Sequence, residues 1–241
     1  MLLDGKTALI TGGGRGIGQA IAFAFAAQGC QVAVAARTKD EVVETARIIE
    51  EAGGLAMAVG CDVTHPETAA KLVLATRERF NGLDILVNNA GFAKFQPFLK
   101  TTRDEWMKTL EVNLTAPWAL AQEAAKEMLK RGGGRIINIA SVSGHKPIVD
   151  QHAYCAAKHG LIGLSKSLAM ELREHNIAVN CISPGATNTR LANEAMPHRE
   201  GEIWLEPEDV AQAALYLASL SPRAAVDDII LRRFTSAPLG G

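Results

Sequence analysis

The sequence has no pair of cysteines spaced as CxxC, no excess of one charge and few aromatic residues, and each absence removes a class of function. Its four cysteines (Cys30, Cys61, Cys155, Cys181) stand far apart. That spacing argues against a disulfide framework or a zinc site and for a reducing compartment. Lysine and arginine number 25 against 26 aspartates and glutamates, leaving a formal net charge of −1. Neither nucleic acid nor an anionic membrane gains support from such a balance. No apolar run approaches the roughly 20 residues that a membrane-crossing helix needs. The opening MLLDGKTALITGG has no basic segment followed by an apolar stretch and cleavage site, so it does not read as a signal peptide. Linkers, low-complexity segments and short repeats are also missing, and 241 residues suit a single domain. The expectation is a soluble cytoplasmic protein without a metal.

What the sequence has is glycine, 22 of them, clustered at the ends of apolar runs. Those runs read as strands: Thr7–Thr11, Gln31–Ala36, Ala56–Gly60, Asp84–Asn89, Arg135–Ala140, Ile177–Ser183 and, last, Asp228–Arg232. Each is nearly continuously apolar, as a strand covered on both faces should be. Helical patterns lie between them. Thr64–Glu67 and Thr102–Glu105 fit capping boxes, Pro207 suits a first helical turn, and Gly29, Gly53 and Gly82 stand where helices should end. Alternation of strand and helix predicts an α/β fold: a doubly wound, mostly parallel, Rossmann-like sheet with helices on both faces. Ligands of such sheets bind in the crevice at the carboxyl ends of the strands.

Two glycine triplets differ in context. TGGGRGIG (Thr11–Gly18) follows a strand and opens a helix, where Gly12, Gly16 and Gly18 permit a tight turn and the approach of a pyrophosphate to the backbone. Its spacing is TGxxxGxG rather than GxGxxG, and a plain tight turn is the competing reading. RGGGR (Arg131–Arg135) follows a helix and precedes a strand, so it reads as helix termination. Where an NAD enzyme would place an acid after the second strand, this chain has Ala36, Arg37 and Thr38. Arg37 can pair with a 2′-phosphate, and Arg15 in the neighbouring loop can approach the same group, which favours NADP(H). Merely solvated arginines are the alternative.

Tyr154 and Lys158 fall four residues apart on one helical face. A free tyrosine with a pKa of about 10 exchanges protons poorly near neutrality, and a neighbouring ammonium favours the phenolate. Alone, the pair reads equally as helix surface. Ser141 ends the fifth strand at the crevice, where its hydroxyl could bond a substrate carbonyl. NNAG (Asn88–Gly91) follows the fourth strand with small residues that let a cofactor pass.

TGxxxGIG, NNAG, Asn113, Ser141, YxxxK and PGATNT (Pro184–Thr189) stand in the order and spacing of the short-chain dehydrogenase/reductase family, which the chain resembles over residues 4 to 220. Within that family it resembles 3-oxoacyl-(acyl-carrier-protein) reductase-like members. The resemblance implies hydride transfer between a nicotinamide cofactor and a carbonyl or alcohol carbon of a small molecule. It makes Tyr154 the general acid/base, Ser141 the carbonyl donor, Lys158 the ribose ligand that lowers the tyrosine pKa, and Asn113 the holder of a relay water. It also implies cofactor contacts at Gly12, Arg15, Gly16, Ile17, Gly18, Arg37, Asp62, Val63, Asn89, Ala90, Gly91, Tyr154, Lys158, Pro184, Gly185, Thr187 and Thr189. A homodimer or homotetramer follows, with acyl-carrier protein as a further partner. Lys94, Lys146, Arg190 and Arg199 are candidates for its docking surface, against plain solvated charge. Apart from the resemblance, Pro117 lacks the N–H that a continuous helix would bond to the Asn113 carbonyl, freeing that oxygen for a water.

The pattern breaks at the C-terminus. Asp228-Ile-Ile stands where members often carry a glycine turn, and the segment 226–241 is basic, with Gly240–Gly241 read as a frayed end. Oligomer contacts at this end are therefore in question. Arg190–Leu205 reads as a short lid over an open entrance, with Met196, Pro197, His198 and Trp204 in it. His145, Asp150, Gln151 and His152 are read as facing substrate, the two histidines as polar loop residues. Cys155 reads as a small buried residue. The leading function is a ketone reductase, for example of 3-oxoacyl thioesters. The alternatives are a secondary-alcohol, polyol or hydroxysteroid dehydrogenase, and a dinucleotide-binding module without catalysis.

Overall fold

The computed structural model describes residues 1–197, 204–221 and 223–238. Seven strands form one parallel sheet in the order β3-β2-β1-β4-β5-β6-β7. They are β1 (Thr7–Thr11), β2 (Gln31–Ala36), β3 (Ala56–Gly60), β4 (Ile85–Asn88), β5 (Gly134–Ile139), β6 (Ile177–Pro184) and β7 (Asp228–Leu231). The helices are α1 (Gly16–Ala26), α2 (Lys39–Glu51), α3 (Thr68–Phe80), α4 (Arg103–Leu110), α5 (Ala116–Lys130), α6 (His152–Leu172), α7 (Arg190–Ala195) and α8 (Pro207–Ser219). The sheet's alternation sorts the core into two layers. Ala8 and Ile10 of β1 pack with α1, α2 and α8 on one face, and Leu9 between them packs with α3, α5 and α6 on the other. Both faces are therefore covered, and the fold is a single Rossmann-like domain.

Winding proceeds outward from β1 in both directions, to β2 and β3 on one side and to β4 through β7 on the other. The β1–β4 junction is thus the switch point, where the loops leaving the two strands part and open a crevice. Those loops are the glycine-rich turn and NNAG.

Several terminators and caps match expectation. Gly29 and Gly53 sit at φ +85° just past α1 and α2, and Gly132 and Gly133 of the RGGGR run end α5 at φ +78° and +145°. Thr102 and Glu105 form the full capping box of α4, and Pro207 opens α8. The Thr64–Glu67 box does not form. Asp62 Oδ1 instead accepts from the Thr64 amide (3.0 Å) and hydroxyl (2.8 Å), so the threonine caps a local turn and α3 starts later, at Thr68. At the far end of α3 the left-handed cap is Asn81 rather than Gly82.

One further departure bears on the site. The helix through Asn113 is not continuous: Glu111–Thr115 is a π-helical turn, in which the Ala116 amide bonds back to the Glu111 carbonyl. Pro117, in the first turn of α5, supplies no donor there, and widening the turn by one residue accommodates the loss. The last expected strand forms: Asp228 opens β7, parallel to β6 with Asp228 opposite Cys181, so this end of the chain adds a seventh strand to the sheet. His198, Arg199 and Gly240–Gly241 lie outside the described residues.

Candidate active site

The crevice at the β1–β4 junction is a cleft of about 580 Å³. Its floor at one end is the glycine-rich turn, held in shape by NNAG. Thr11 Oγ1 accepts from the Asn89 and Ala90 amides (3.1 Å each), while Asn89 Nδ2 donates to the Thr11 and Gly12 carbonyls (2.9 and 3.2 Å). Gly12 and Gly16 are at φ +65° and +55°, conformations that cost a side-chain-bearing residue strain. A Cβ on Gly18 would lie 2.3 Å from the Gly12 carbonyl oxygen and 2.4 Å from Asn89 Nδ2. The space is therefore a cradle shaped by missing side chains, and a dinucleotide pyrophosphate fits it. Gly18→Ala is expected to push the turn off α1, costing about 1–3 kcal/mol of stability and weakening dinucleotide binding at least tenfold. Thermal unfolding together with cofactor titration by fluorescence checks both.

At the end of β2, Arg37 lines the cleft, exposed and without an ion pair among the described residues. Beside it begins α2, whose N-cap Thr38 makes no side-chain cap bond. Arg15 behaves differently: its Nη1 pairs with Glu41 Oε1 at 2.9 Å, and Glu41 also faces Arg190 Nη1 at 3.5 Å. Both arginines line the same cleft, but only Arg15 is held in an ion pair. Val63 and Asp62 line the same cleft, and burial of the Asp62 carboxyl is outweighed by hydrogen bonds from Thr64 together with the charges of Arg37 and His65, which hold it below its usual range.

The other end is built by β5, α6 and the loop after β4. Ser141 follows β5, and its Oγ accepts from the Ser143 amide (3.1 Å). Tyr154 and Lys158 project from successive turns of α6, and Ser141 stands beside Tyr154 in the cleft. Lys158, 4% exposed, donates from Nζ to the Ile139 carbonyl at 2.8 Å and lies 5.5 Å from the centre of the Tyr154 ring. Burial lowers the lysine to about 8. Burial also pushes the Tyr154 phenol up, to about 12, against the smaller lowering effect of Ser141. The expected lowering by Lys158 is thus not found in the protein alone: the ammonium sits over the ring face and is turned to a backbone carbonyl, not to the phenolic oxygen. Asn113, fully buried, spends its side chain on Phe92 and the Thr109 carbonyl, Oδ1 accepting from the Phe92 amide and Nδ2 donating to both carbonyls. That fixes the loop after β4 to the π-turn.

Thr187, Thr189, Pro184 and Gly185 line the opposite wall, with Thr189 capping α7 through its side chain. Of the four residues expected to face substrate, only Gln151 lines the cleft. His152 packs between Phe98 and Trp106, and Asp150 lends its carbonyl to the Gln96 amide. His145 turns away altogether. Its Nε2 is 2.8 Å from Asp228 Oδ2 and 3.1 Å from Ser183 Oγ, and Ser183 donates to Asp228 Oδ1 at 2.9 Å. This cluster ties the turn after Ser141 to β6 and β7, and explains why an aspartate opens the last strand. No local pattern links residues so far apart in sequence. Asp228→Ala leaves His145 and Ser183 without their acceptor, so a loss of about 1–3 kcal/mol and a fall of about 2–10 °C in Tm are expected by thermal unfolding.

The chain matches the short chain dehydrogenase family over residues 6–200. It belongs to that family. It is 40% identical to 3beta-hydroxysteroid dehydrogenase 1 of Eggerthella lenta, over 90% of this chain and 88% of that one. It is 35% identical to the 3-oxoacyl-[acyl-carrier-protein] reductase of Vibrio cholerae, over 93% of each. A metagenomic short-chain oxidoreductase in complex with NADP superposes with a TM-score of 0.85 at 33% identity, covering 96% of this chain and 99% of that one. The short-chain dehydrogenase described here is thus an oxidoreductase of CH–OH and C=O groups with a nicotinamide cofactor. Relatives of similar identity carry names with different substrates, so membership leaves the substrate open. No helix among the described residues is long and apolar enough to cross a membrane.

Proposed function

We propose that this short-chain dehydrogenase is an NADPH-dependent ketone reductase. The observation that carries the reading is Tyr154 beside Ser141 in one cleft, with Lys158 over the tyrosine ring, at the mouth of a glycine-lined turn that leads to an arginine without an ion pair among the described residues. When bound, the nicotinamide supplies hydride to the carbonyl carbon. Ser141 donates a hydrogen bond to the carbonyl oxygen as negative charge develops there. Tyr154 gives that oxygen its proton, and the Lys158 charge stabilises the phenolate left behind. Glycines 12, 16 and 18 admit the pyrophosphate, and Arg37 with the start of α2 receives the 2′-phosphate. Asn113 supports this end through the π-turn, its carbonyl offered to a relay water. Four free cysteines, three of them buried, suit a reducing cytoplasm, and a homodimer or homotetramer is the working state to be read by ultracentrifugation.

A carrier-protein surface gains little. Lys94 is paired with Glu105, and Arg190 with Glu41 and Glu194. The test is nicotinamide absorbance with purified enzyme, a panel of ketones and alcohols, and NADPH against NADH. Ketone-dependent NADPH oxidation is expected. Turnover of alcohols alone, or with NADH alone, refutes the corresponding half of the reading, and no turnover of any kind leaves a binding module.

A further inference from the structure

We infer that the substrate is an uncharged ketone with a large hydrocarbon body, whose far end lies outside the cleft on an apolar lip formed by Phe98, Leu99 and Val149. The inference rests on the reductase reading and narrows it. Around Tyr154 and Ser141 the walls are Phe92, Phe95, Val112, Ile148, Leu191 and Met196. Lys158 is engaged with Ile139 and the tyrosine, and the other lining charges lie towards the glycine turn, α2 and α8, where Arg15 and Arg190 face Glu41. Among the described residues that line the cleft, no free cation stands at this end to receive a carboxylate or phosphate, which disfavours an anionic group there. A polyhydroxylated ketone fares little better. Ser143 Oγ donates to Gln151 Oε1 at 2.9 Å, so each of these two already spends one polar atom on the other.

The apolar wall does not stop at the cleft. Ile148 leads to Val149, 86% exposed, and Phe95 leads to Phe98 and Leu99, 73% and 92% exposed. The two loops are joined: the Gln96 amide donates to the Asp150 carbonyl at 2.9 Å, and Phe98 meets His152 edge-on at 5.2 Å. Phe95 in turn meets the Tyr154 ring edge-on at 5.6 Å, so the same loop that carries the lip also packs on the reacting residue. Asp150 holds a left-handed φ of +63°, a conformation that aspartate tolerates better than most residues, and this bend leaves Val149 outward. Three large hydrophobic side chains held in water at one cleft mouth mark a surface that a ligand covers.

The test is NADPH-dependent reduction of four ketones: a steroid monoketone, cyclohexanone, 1,3,4-trihydroxybutan-2-one and acetoacetyl-coenzyme A. The expected kcat/KM is highest for the steroid ketone, at least 100-fold above the trihydroxy ketone and the coenzyme A thioester. In the triple variant Phe98→Ser, Leu99→Ser, Val149→Ser, the ratio of steroid ketone to cyclohexanone kcat/KM should fall at least tenfold. Thermal unfolding and cyclohexanone turnover report whether that variant is folded, and Leu99→Ser alone, at the most exposed position, should give a smaller fall in the same direction. A preference for the trihydroxy ketone or the thioester overturns the substrate class while the reductase reading stands. An unchanged ratio in both variants overturns the lip. Reduction of none of the four overturns both readings.

Discussion

Tyr154→Phe is expected to lower kcat for ketone reduction by about three orders of magnitude, within the range that a positioned proton donor supplies, while cofactor Kd changes less than tenfold. The substitution removes one oxygen and leaves the ring against Phe95. What is lost is the proton for the carbonyl oxygen. The protonation states favour reduction in the resting protein. A phenol at about 12 keeps its proton throughout the physiological range, so the acid is always loaded. Lys158, at about 8, is charged below that pH and neutral above it. Its charge is what stabilises the phenolate once the proton has left. Reductive kcat in the wild type should therefore be flat from pH 6 to near 8 and fall above. Steady-state rates across pH, with NADPH binding followed by fluorescence, check both parts. Residual turnover above a tenth of wild type in Tyr154→Phe would remove the tyrosine from the proton-transfer step.

The sheet was legible because its strands are buried on both faces. Runs such as Gln31–Ala36 and Ile177–Pro184 have no polar side to confuse with a helix, and their bounds in the structure fall within a residue of expectation. The two glycine triplets separated by context alone, since Gly132 and Gly133 end a helix while Gly12 and Gly16 open one. Local rules failed where two of them competed. Thr64 had a partner for a capping box in Glu67, but Asp62 lies two residues away and takes its amide and hydroxyl first. Distance in sequence hid the rest. The His145–Ser183–Asp228 cluster joins three loop or strand ends, and no periodicity in any one of them points to the others. The pKa of Tyr154 was beyond reach for a similar reason. Four-residue spacing places Lys158 on the same helical face, but whether its ammonium meets the hydroxyl or passes over the ring depends on the Ile139 carbonyl of another element.

Arg37→Asp is expected to lower kcat/KM for NADPH by about 100-fold and to raise that for NADH severalfold, reversing the preference. A charge-assisted hydrogen bond contributes about 1.5–3 kcal/mol, and the substitution replaces that attraction with repulsion of the 2′-phosphate. The same carboxylate suits the free ribose hydroxyls of NADH. Arg37 is the residue on which this depends because it alone of the two candidate arginines makes no ion pair among the described residues, Asp62 acting on it only at longer range. Arg15 is already held by Glu41, and moving it to a phosphate would leave that carboxylate with Arg190 only. Arg15→Ala should consequently reduce NADPH affinity by no more than about fivefold, consistent with a partly exposed ion pair worth under 1 kcal/mol. Kinetics with both cofactors at fixed ketone concentration decide the matter. An equal loss in the two variants would place the phosphate between the arginines. A wild-type enzyme that turned over NADH more efficiently than NADPH would mean that the unpaired guanidinium at the end of β2 is simply solvated.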